Sequence, residues 1–438
     1  METVLRLLKK IIPAHIFTGA QPAYHYLLAF LGALIYRFPS RKIKVVAITG
    51  TKGKSTTAEL VNAILEEAGY KTALAGTIRF KIADKSTPNL YKMTLPGRFF
   101  VQRFLRNAVN AGCDYAVLEI TSEAAKQYRH KFVELNALIF LNLAPEHIES
   151  HGSYEKYRDA KLSLARALEK SSKRPRAVVA NADDKEGWRF LETKVEQCVP
   201  FHVSVSDLAG VTPDGIHFSW KGELINSKLI GAFNLSNMLA SASFANTQNI
   251  PASAVKRGIE KVSEVSGRVQ FIRAGQDFDV IVDYAHTPDS LEKLYQAFPH
   301  RKKIAILGNT GGGRDTWKRP VMAGIAEKYC DEIILTNEDP YDEDPRKILE
   351  EMAVGMKIKK PEIILDRREA IATALRLASN EAERLAQDGN KHNRTVVLIS
   401  GKGTDPYIME ANNKKTPWSD RNVAEEELKK LATNSTSR

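Results

Sequence analysis

Residues 43–69 read IKVVAIT, then GTKGKST, then TAELVNAILEEAG, and no other stretch constrains the fold as tightly. Ile43–Thr49 is a β-branched run that predicts a strand buried in a parallel sheet. The third block carries a helical pattern that closes at Gly69. Between them, Gly50, Thr51, Lys52, Gly53, Lys54, Ser55 and Thr56 form a phosphate cradle. Glycines let backbone N–H groups turn inward, and the helix N-terminus adds positive potential. Lys54 would meet the β- and γ-phosphates, and the Ser55 hydroxyl would sit on Mg²⁺. The spacing is shorter than the full G-x-x-x-x-G-K-[ST], because Ile48 stands where the first glycine would be. A plain βα turn explains the glycines but not the two lysines beside them.

A strand followed at once by a helix implies an α/β fold with a parallel sheet. The rest of the chain agrees. Asp114–Ile120 and Ala137–Leu143 read as further buried strands. The C-terminal half alternates DVIVDYA, KIAILG, EIILT, EIILD and TVVLIS with helical patterns. We therefore expect a doubly wound P-loop ATPase domain and a C-terminal Rossmann-like α/β domain, preceded by a short apolar helical segment. The boundaries fall at 1–40, 41–266 and 267–438. A small β-rich excursion is expected around VTPDGIHFSW, and Ser419-Asp420 should cap a last helix over Arg421–Ala432, with a polar tail beyond it.

Two positions at strand carboxyl ends carry chemistry. Glu119 ends a strand, where open parallel sheets bind ligands, and offers a hard oxygen to a hard ion. His147 lies just beyond the next strand. His151 reads as a surface loop residue without a role. Ser153 caps a helix whose apolar stripe (Tyr154, Tyr157, Leu164, Leu168) is interrupted by Lys161. A lysine there either snorkels or functions; as an ammonium it would repel Mg²⁺, whereas carbamylation by CO₂ would make it an anionic oxygen ligand.

The 438 residues carry 64 Lys+Arg against 52 Asp+Glu, a formal charge of +12. That fits anionic substrates, a membrane surface or nucleic acid, but the basic-aromatic stripes of single-strand binders are not visible. No nucleic-acid partner is expected. Three scattered cysteines, without CxxC, argue against a disulfide scaffold or zinc ribbon and for reduced cytosolic thiols. Met1–Ile12 is amphipathic and basic. Tyr24–Phe38 is almost wholly apolar, yet short of the ~20 residues that span a bilayer. No small-residue cleavage site follows it, so a signal peptide is not indicated. Residues 1–40 are either a helical hairpin packed on the next domain or an interfacial anchor.

Taken in order, GTKGKST (50–56), LEITS (118–122), NLAPEHIESHGSYEKYRDAK (142–161), NADD (181–184), GAFNLSN (231–237), SGRVQ (266–270), VDYAHTPDSLEK (282–293), GGGRDTWKRPVMA (311–323), TNEDPYDEDP (336–345), DRREAI (366–371) and GKGTDPY (401–407) resemble the Mur ligases, most closely their MurE branch. The resemblance implies an ATP-dependent, ADP-forming amino-acid ligase of peptidoglycan biosynthesis, cytoplasmic and monomeric, acting through an acyl phosphate on a UDP-MurNAc-peptide. It implies Ser55 and Glu119 on a first Mg²⁺, and His147 with carbamylated Lys161 on a second. Asn181, Asn234, Arg268, Asp283 and His286 would approach the nucleotide. Gly267 would sit at a hinge on which the C-terminal domain closes. Arg314, Asp339, Tyr341, Gly401 and Asp405 would form the amino-acid site, and Thr94, Thr121 and Ser122 the acceptor site.

Three departures from the family pattern stand out. Only about 40 residues precede the loop, so recognition of the UDP portion is expected to be reduced, rebuilt or replaced by a lipid-linked or shorter acceptor. Ile-Thr-Ser-Glu-Ala follows Glu119 where Ser-Ser-His is common. The Asp-Asn-Pro-Arg of diaminopimelate-adding members is here Glu338-Asp339-Pro340-Tyr341. Without the arginine fork for a distal carboxylate, and with Glu338 and Asp339 able to attract an ammonium, a lysine-like amino acid is favoured. Competing expectations are a folylpolyglutamate synthase-like ligase, whose signature lacks the YAHTPDS and GRDxxKRP segments, and a peptidoglycan-precursor amidating subunit, whose four-cysteine insert is missing.

Overall fold

The computed structural model describes residues 14–146, 148–203, 210–212, 214–313, 315–387 and 394–436. The chain divides into two compact units. The first takes in the described residues of Met1–Pro145, His151–Ser206 and Ser236–Ile259; the second those of Glu146–Ser150, Asp207–Leu235 and Glu260–Arg438.

The first unit is built on an eight-stranded sheet of order β4-β3-β2-β5-β1-β6-β7-β8. Its strands are β1 (Lys44–Thr49), β2 (Thr72–Ala75), β3 (Arg79–Ile82), β4 (Lys85–Pro88), β5 (Tyr115–Glu119), β6 (Ala137–Phe140), β7 (Ala177–Asn181) and β8 (Gln197–Phe201). β2, β5, β1, β6, β7 and β8 run parallel, and β3 pairs antiparallel with both β2 and the edge strand β4. The chain leaves β1 for β2 and β5 on one side and crosses back to β6 on the other. This places a topological switch point at β1, where open α/β sheets bind ligands beyond the strands' carboxyl ends. The central strands β1, β5 and β6 are buried on both faces, as their near-continuous apolar runs require. Apolar side chains of Val45, Ala47, Leu118, Leu138, Phe140 and Leu164 share one core.

Among its described residues, the apolar N-terminal segment contains the helix Ala14–Ile35, with Pro22 inside it. The expected first arm of a hairpin, Met1–Ile12, lies outside the described residues. The second arm begins earlier than Tyr24, because the exposed Pro22 costs the helix one hydrogen bond on its solvent side without ending it. Its buried face is made of small residues, Ala29, Gly32 and Ala33, which let it approach helix Arg98–Asn110.

The second unit contains a three-stranded antiparallel sheet of β9 (Gly210–Thr212), β10 (Gly215–Trp220) and β11 (Glu223–Ser227), the expected β-rich excursion. Its main sheet has the order β12-β13-β17-β14-β15-β16: β12 (Gln270–Phe271), β13 (Asp279–Val282), β14 (Lys303–Leu307), β15 (Glu332–Leu335), β16 (Glu362–Ile363) and β17 (Val396–Ile399). All but β12 are parallel. Alternate residues feed two cores, Ile281, Ala305, Leu307 and Leu398 on one face and Val280, Ile304, Ile306 and Val397 on the other. A short hairpin follows, β18 (Tyr407–Met409) and β19 (Lys415–Pro417). The final helix spans Asp420–Thr436, longer than the expected Arg421–Ala432, and Ser419 Oγ accepts from the Asn422 N–H near its start.

Candidate active site

The loop after β1 is the structural centre of the first unit. Gly53 has φ +86° and starts helix Lys54–Glu67 without a side-chain cap, so the positive end of the helix adjoins the loop, where an anion is favoured. A Cβ at Gly53 would lie 2.2 Å from Asn237 Oδ1, so both conformation and space demand glycine. Asn142, beyond the end of β6, braces the loop: its Oδ1 accepts from the Lys52 N–H at 2.9 Å, its Nδ2 donates to Lys52 O, and its carbonyl accepts from the Thr51 N–H. Lys54 Nζ turns back onto the carbonyls of Gly50 (3.1 Å) and Thr51 (2.9 Å). Thr51 Oγ1 meets the Tyr157 hydroxyl at 2.9 Å, and Thr56 is buried in the first turn of the helix. Gly53→Ala is expected to displace this loop and lower the phosphate-release rate about 10²-fold while the chain stays folded, measurable by steady-state assay with thermal melts as control.

Glu119 closes β5 and is 2% exposed. Ser55 Oγ lies 3.1 and 3.2 Å from its two oxygens, and Thr77 gives it both an N–H (2.8 Å) and a hydroxyl (3.0 Å). Thr94 Oγ1 is 2.8 Å from Thr77 Oγ1. The donors here are all hard oxygens, the chemistry that suits Mg²⁺.

Lys161 does not snorkel. It is 2% exposed, its Nζ donates to Gly50 O at 2.8 Å, and it lies 4.8 Å from the Tyr157 ring centroid. The helix Tyr154–Glu169, capped by Ser153 as its sequence predicts, delivers it to the loop. His151 is not a surface residue: it is buried, with Nε2 3.1 Å from Ser122 Oγ and 3.3 Å from Glu123 Oε1. Helix packing between Ser122–Lys126 and Tyr154–Glu169 encloses it. Thr121 caps helix Ser122–Lys126, its Oγ1 accepting from the Ala124 N–H. Asn181 ends β7, two strands from β1, and its Oδ1 accepts from the Asp183 N–H. His147 lies outside the described residues. Among the described residues no three His, Cys, Asp or Glu side chains cluster as a metal site.

In the second unit, the carboxyl ends of β13, β14, β15 and β17 share one edge of the sheet. Lys402, fully buried, donates to Asp339 Oδ1 (2.9 Å), Asp405 Oδ2 (3.3 Å) and Tyr407 O (2.6 Å). Asp339 Oδ1 also accepts from the Met409 N–H, whose carbonyl takes the Tyr341 N–H. One oxygen of Asp339 is thus held by the protein. Glu338 differs: Oε1 accepts from Thr310 Oγ1, while the buried Oε2 has no hydrogen-bond partner among the described residues and faces Gly401, whose φ is +103°. Burial, reinforced by the charge of Asp339, pushes the Glu338 carboxyl up. Arg314 lies outside the described residues.

Asp283 accepts from the Val269 and Ala285 N–H groups, and Arg268 lies 4.5 Å from the Tyr284 ring centroid. The negative charge of Asp405, and after it desolvation, push the Tyr284 phenol well above its usual range, so it stays neutral. His286 faces Tyr284 O with Nδ1 and Glu146 Oε1 with Nε2. Asn234 donates to Ile230 O at the start of helix Ala232–Thr247. Gly267, φ +62°, sits where a Cβ would be 2.7 Å from the Gly403 backbone, a close approach within this unit. Sequence reasoning missed Asn142, Thr77, Tyr157 and Lys402. The first and last stood in plain sight in NLAP and GKG, but nothing in a linear pattern shows what they brace.

A glycine loop opening a helix, a hydroxyl-bound carboxylate at the adjacent strand end and a buried lysine define a nucleotide-dependent group-transfer site. Residues 48–245 match the Mur ligase middle domain, and residues 267–403 match the Mur ligase glutamate ligase domain. The chain belongs to the Mur ligase family, whose members are ATP-dependent ligases using ATP and Mg²⁺. It is 36% identical to a UDP-N-acetylmuramoyl-L-alanyl-D-glutamate–2,6-diaminopimelate ligase of Syntrophomonas wolfei, covering 92% of this chain and 81% of that one. It is 34% identical to a UDP-N-acetylmuramyl-tripeptide synthetase of Roseiflexus, covering 92% and 82%. Among solved structures, a folylpolyglutamate synthase of Mycobacterium tuberculosis superposes with TM-score 0.69 over 87% of this chain and 93% of that one, at 16% identity, a likeness of fold alone.

Proposed function

We propose that this chain adds an amino acid to the peptide carboxyl of a UDP-MurNAc-dipeptide or related peptidoglycan precursor, forming an amide, ADP and phosphate as a monomer in the cytoplasm. The observation that carries this reading is the meeting of Ser55, Glu119 and Thr77 at the strand ends beside the glycine loop, with Lys161 buried against Gly50. The acceptor carboxylate attacks the γ-phosphorus, the β–γ bond breaks, and ADP leaves. The amine then displaces phosphate from the acyl phosphate and loses a proton. Lys54 and the N–H groups of the loop and helix stabilise the anionic oxygens. The oxygen donor set fits Mg²⁺: Ser55 and Glu119 would hold one ion, and His147 with carbamylated Lys161 a second. Such ions supply charge neutralisation on the phosphates. Carbamylation joins the neutral Lys161 amine to CO₂ and releases one proton; the remaining N–H can still donate to Gly50 O.

Asn181, Asn234, Arg268, Asp283 and His286 are assigned to the nucleotide, and Thr94, Thr121 and Ser122 to the acceptor. Arg314, Gly401, Asp405 and Tyr341 are assigned to the amino acid, with Asp339 positioning Lys402. The added residue is lysine or a similar diamino acid. Tyr341 brings no cation for a second carboxylate, and Glu338 Oε2 is a buried acceptor to which an ammonium would give a partner. Phosphate release with UDP-MurNAc-dipeptide and a panel of amino acids tests this, with lipid-linked, UDP-free and folate acceptors in parallel. Release only with meso-diaminopimelate would refute the lysine preference; release only with a folate would refute the acceptor. Glu338→Gln should raise KM for lysine about 10- to 100-fold with little change in kcat.

A further inference from the structure

Helix Ala14–Ile35 carries two apolar faces, and the described residues cover only one. Tyr24, Leu27, Leu31, Leu34 and Ile35 are all exposed, Leu34 at 52% and Ile35 at 62%. Tyr26 and Phe30, also exposed, rest edge-on against Phe132, with ring centroids 5.1 and 5.4 Å away. No Asp, Glu, Lys or Arg occurs from Ala14 to Tyr36. A contiguous bulky apolar face of this kind marks an interaction surface.

Its rim is basic on both flanks. Phe30 lies 6.4 Å from the Phe38 ring, and Arg41 stacks over Phe38 at 4.6 Å, with exposed Arg37 and Lys42 beside it. Phe132 is followed back along the chain by Lys131, whose ammonium is lowered by burial and then by the nearby charges of Lys170 and Arg166. No acidic residue occurs from Ala14 to Ala58. The Glu134 carboxylate, two residues past Phe132, is taken by the Ser172 N–H. No described helix is long and apolar enough to cross a bilayer, so a helix with this face can lie only on one.

We propose that this face docks on an anionic membrane surface. Tyr24, Leu27, Leu31, Leu34 and Ile35 enter the acyl boundary, and Arg37, Arg41, Lys42 and Lys131 meet lipid phosphates. The complementarity of a basic rim for an anionic headgroup layer selects a bilayer over a second copy, whose rim would repel. The inference does not depend on which acceptor or amino acid the ligase uses.

Co-sedimentation of the full chain with phosphatidylcholine vesicles, with and without phosphatidylglycerol, tests it. Binding should require phosphatidylglycerol and weaken with added salt. The double variant Leu27→Glu/Leu34→Glu should lower vesicle partitioning by roughly tenfold or more, with melting temperature and solution phosphate release unchanged. Because both side chains are exposed, loss of binding in a folded variant supports docking. Equal partitioning of variant and wild type would overturn it. So would a wild-type dimer that the variant splits while neither binds vesicles, which would assign the face to a second copy.

Discussion

Lys161→Ala is expected to lower phosphate release by about 10²–10³-fold without unfolding the chain, since it removes a charged group from a water-poor electrostatic site. The side chain is 2% exposed and its ammonium donates to a carbonyl, Gly50 O. An ammonium there would oppose a divalent cation; a carbamate would attract one. The two chemistries separate cleanly by variant. Lys161→Arg keeps the positive charge but cannot react with CO₂, so it should be as inactive as the alanine form. Formate or acetate should restore part of the alanine variant's rate by supplying a carboxylate, and purging CO₂ should slow the wild type reversibly. An arginine variant within tenfold of wild type would end the carbamylation reading.

The largest stability effect is expected at Arg367. Its Nε and Nη2 each lie 2.8 Å from an oxygen of Asp420, Nη2 also donates to Ser400 O, and Nη1 to Asn337 O. Arg367 is 2% exposed and Asp420 0%. Burial works against the guanidinium, but Asp420 outweighs it and holds Arg367 above its usual range. Arg367→Ala would strand a buried carboxylate whose remaining partner is the Trp418 indole N–H, at a cost of about 3–5 kcal/mol. Arg367→Lys should fall between, because a single ammonium cannot reproduce the fork. Urea unfolding followed by amide exchange in β17 measures both. A loss below about 1 kcal/mol for the alanine variant would show the pair to be no better than a surface one.

The two predictions differ in how far the sequence alone could reach them. Lys161 was visible as a charge in an apolar helical stripe, and the order of motifs gave it a family role. Arg367 sat within DRREAI as one basic residue among several; only the fold brings it to Asp420, 53 positions on. The strands were legible because parallel strands buried on both faces must be apolar throughout, and β1, β5, β6, β13, β14, β15 and β17 all lie within their predicted runs. Helix ends were less so. Pro22 reads as a break in one dimension and is tolerated where its missing bond faces solvent.

What the sequence by itself determined, then, is the local chemistry: a glycine loop that must turn where Gly50 and Gly53 stand, a carboxylate at the end of a strand, a lysine out of place on a helix. Those follow from backbone sterics and hydrophobic periodicity, which act over a few residues. The tertiary structure decided which groups are committed and which are open. Asp339 and Glu338 are adjacent, yet Lys402 and the Met409 N–H hold one while the second oxygen of the other has no partner among the described residues. His151 looked like a loop residue and is enclosed by two helices. Desolvation and pairing depend on neighbours distant in sequence, and those neighbours exist only once the sheets have formed.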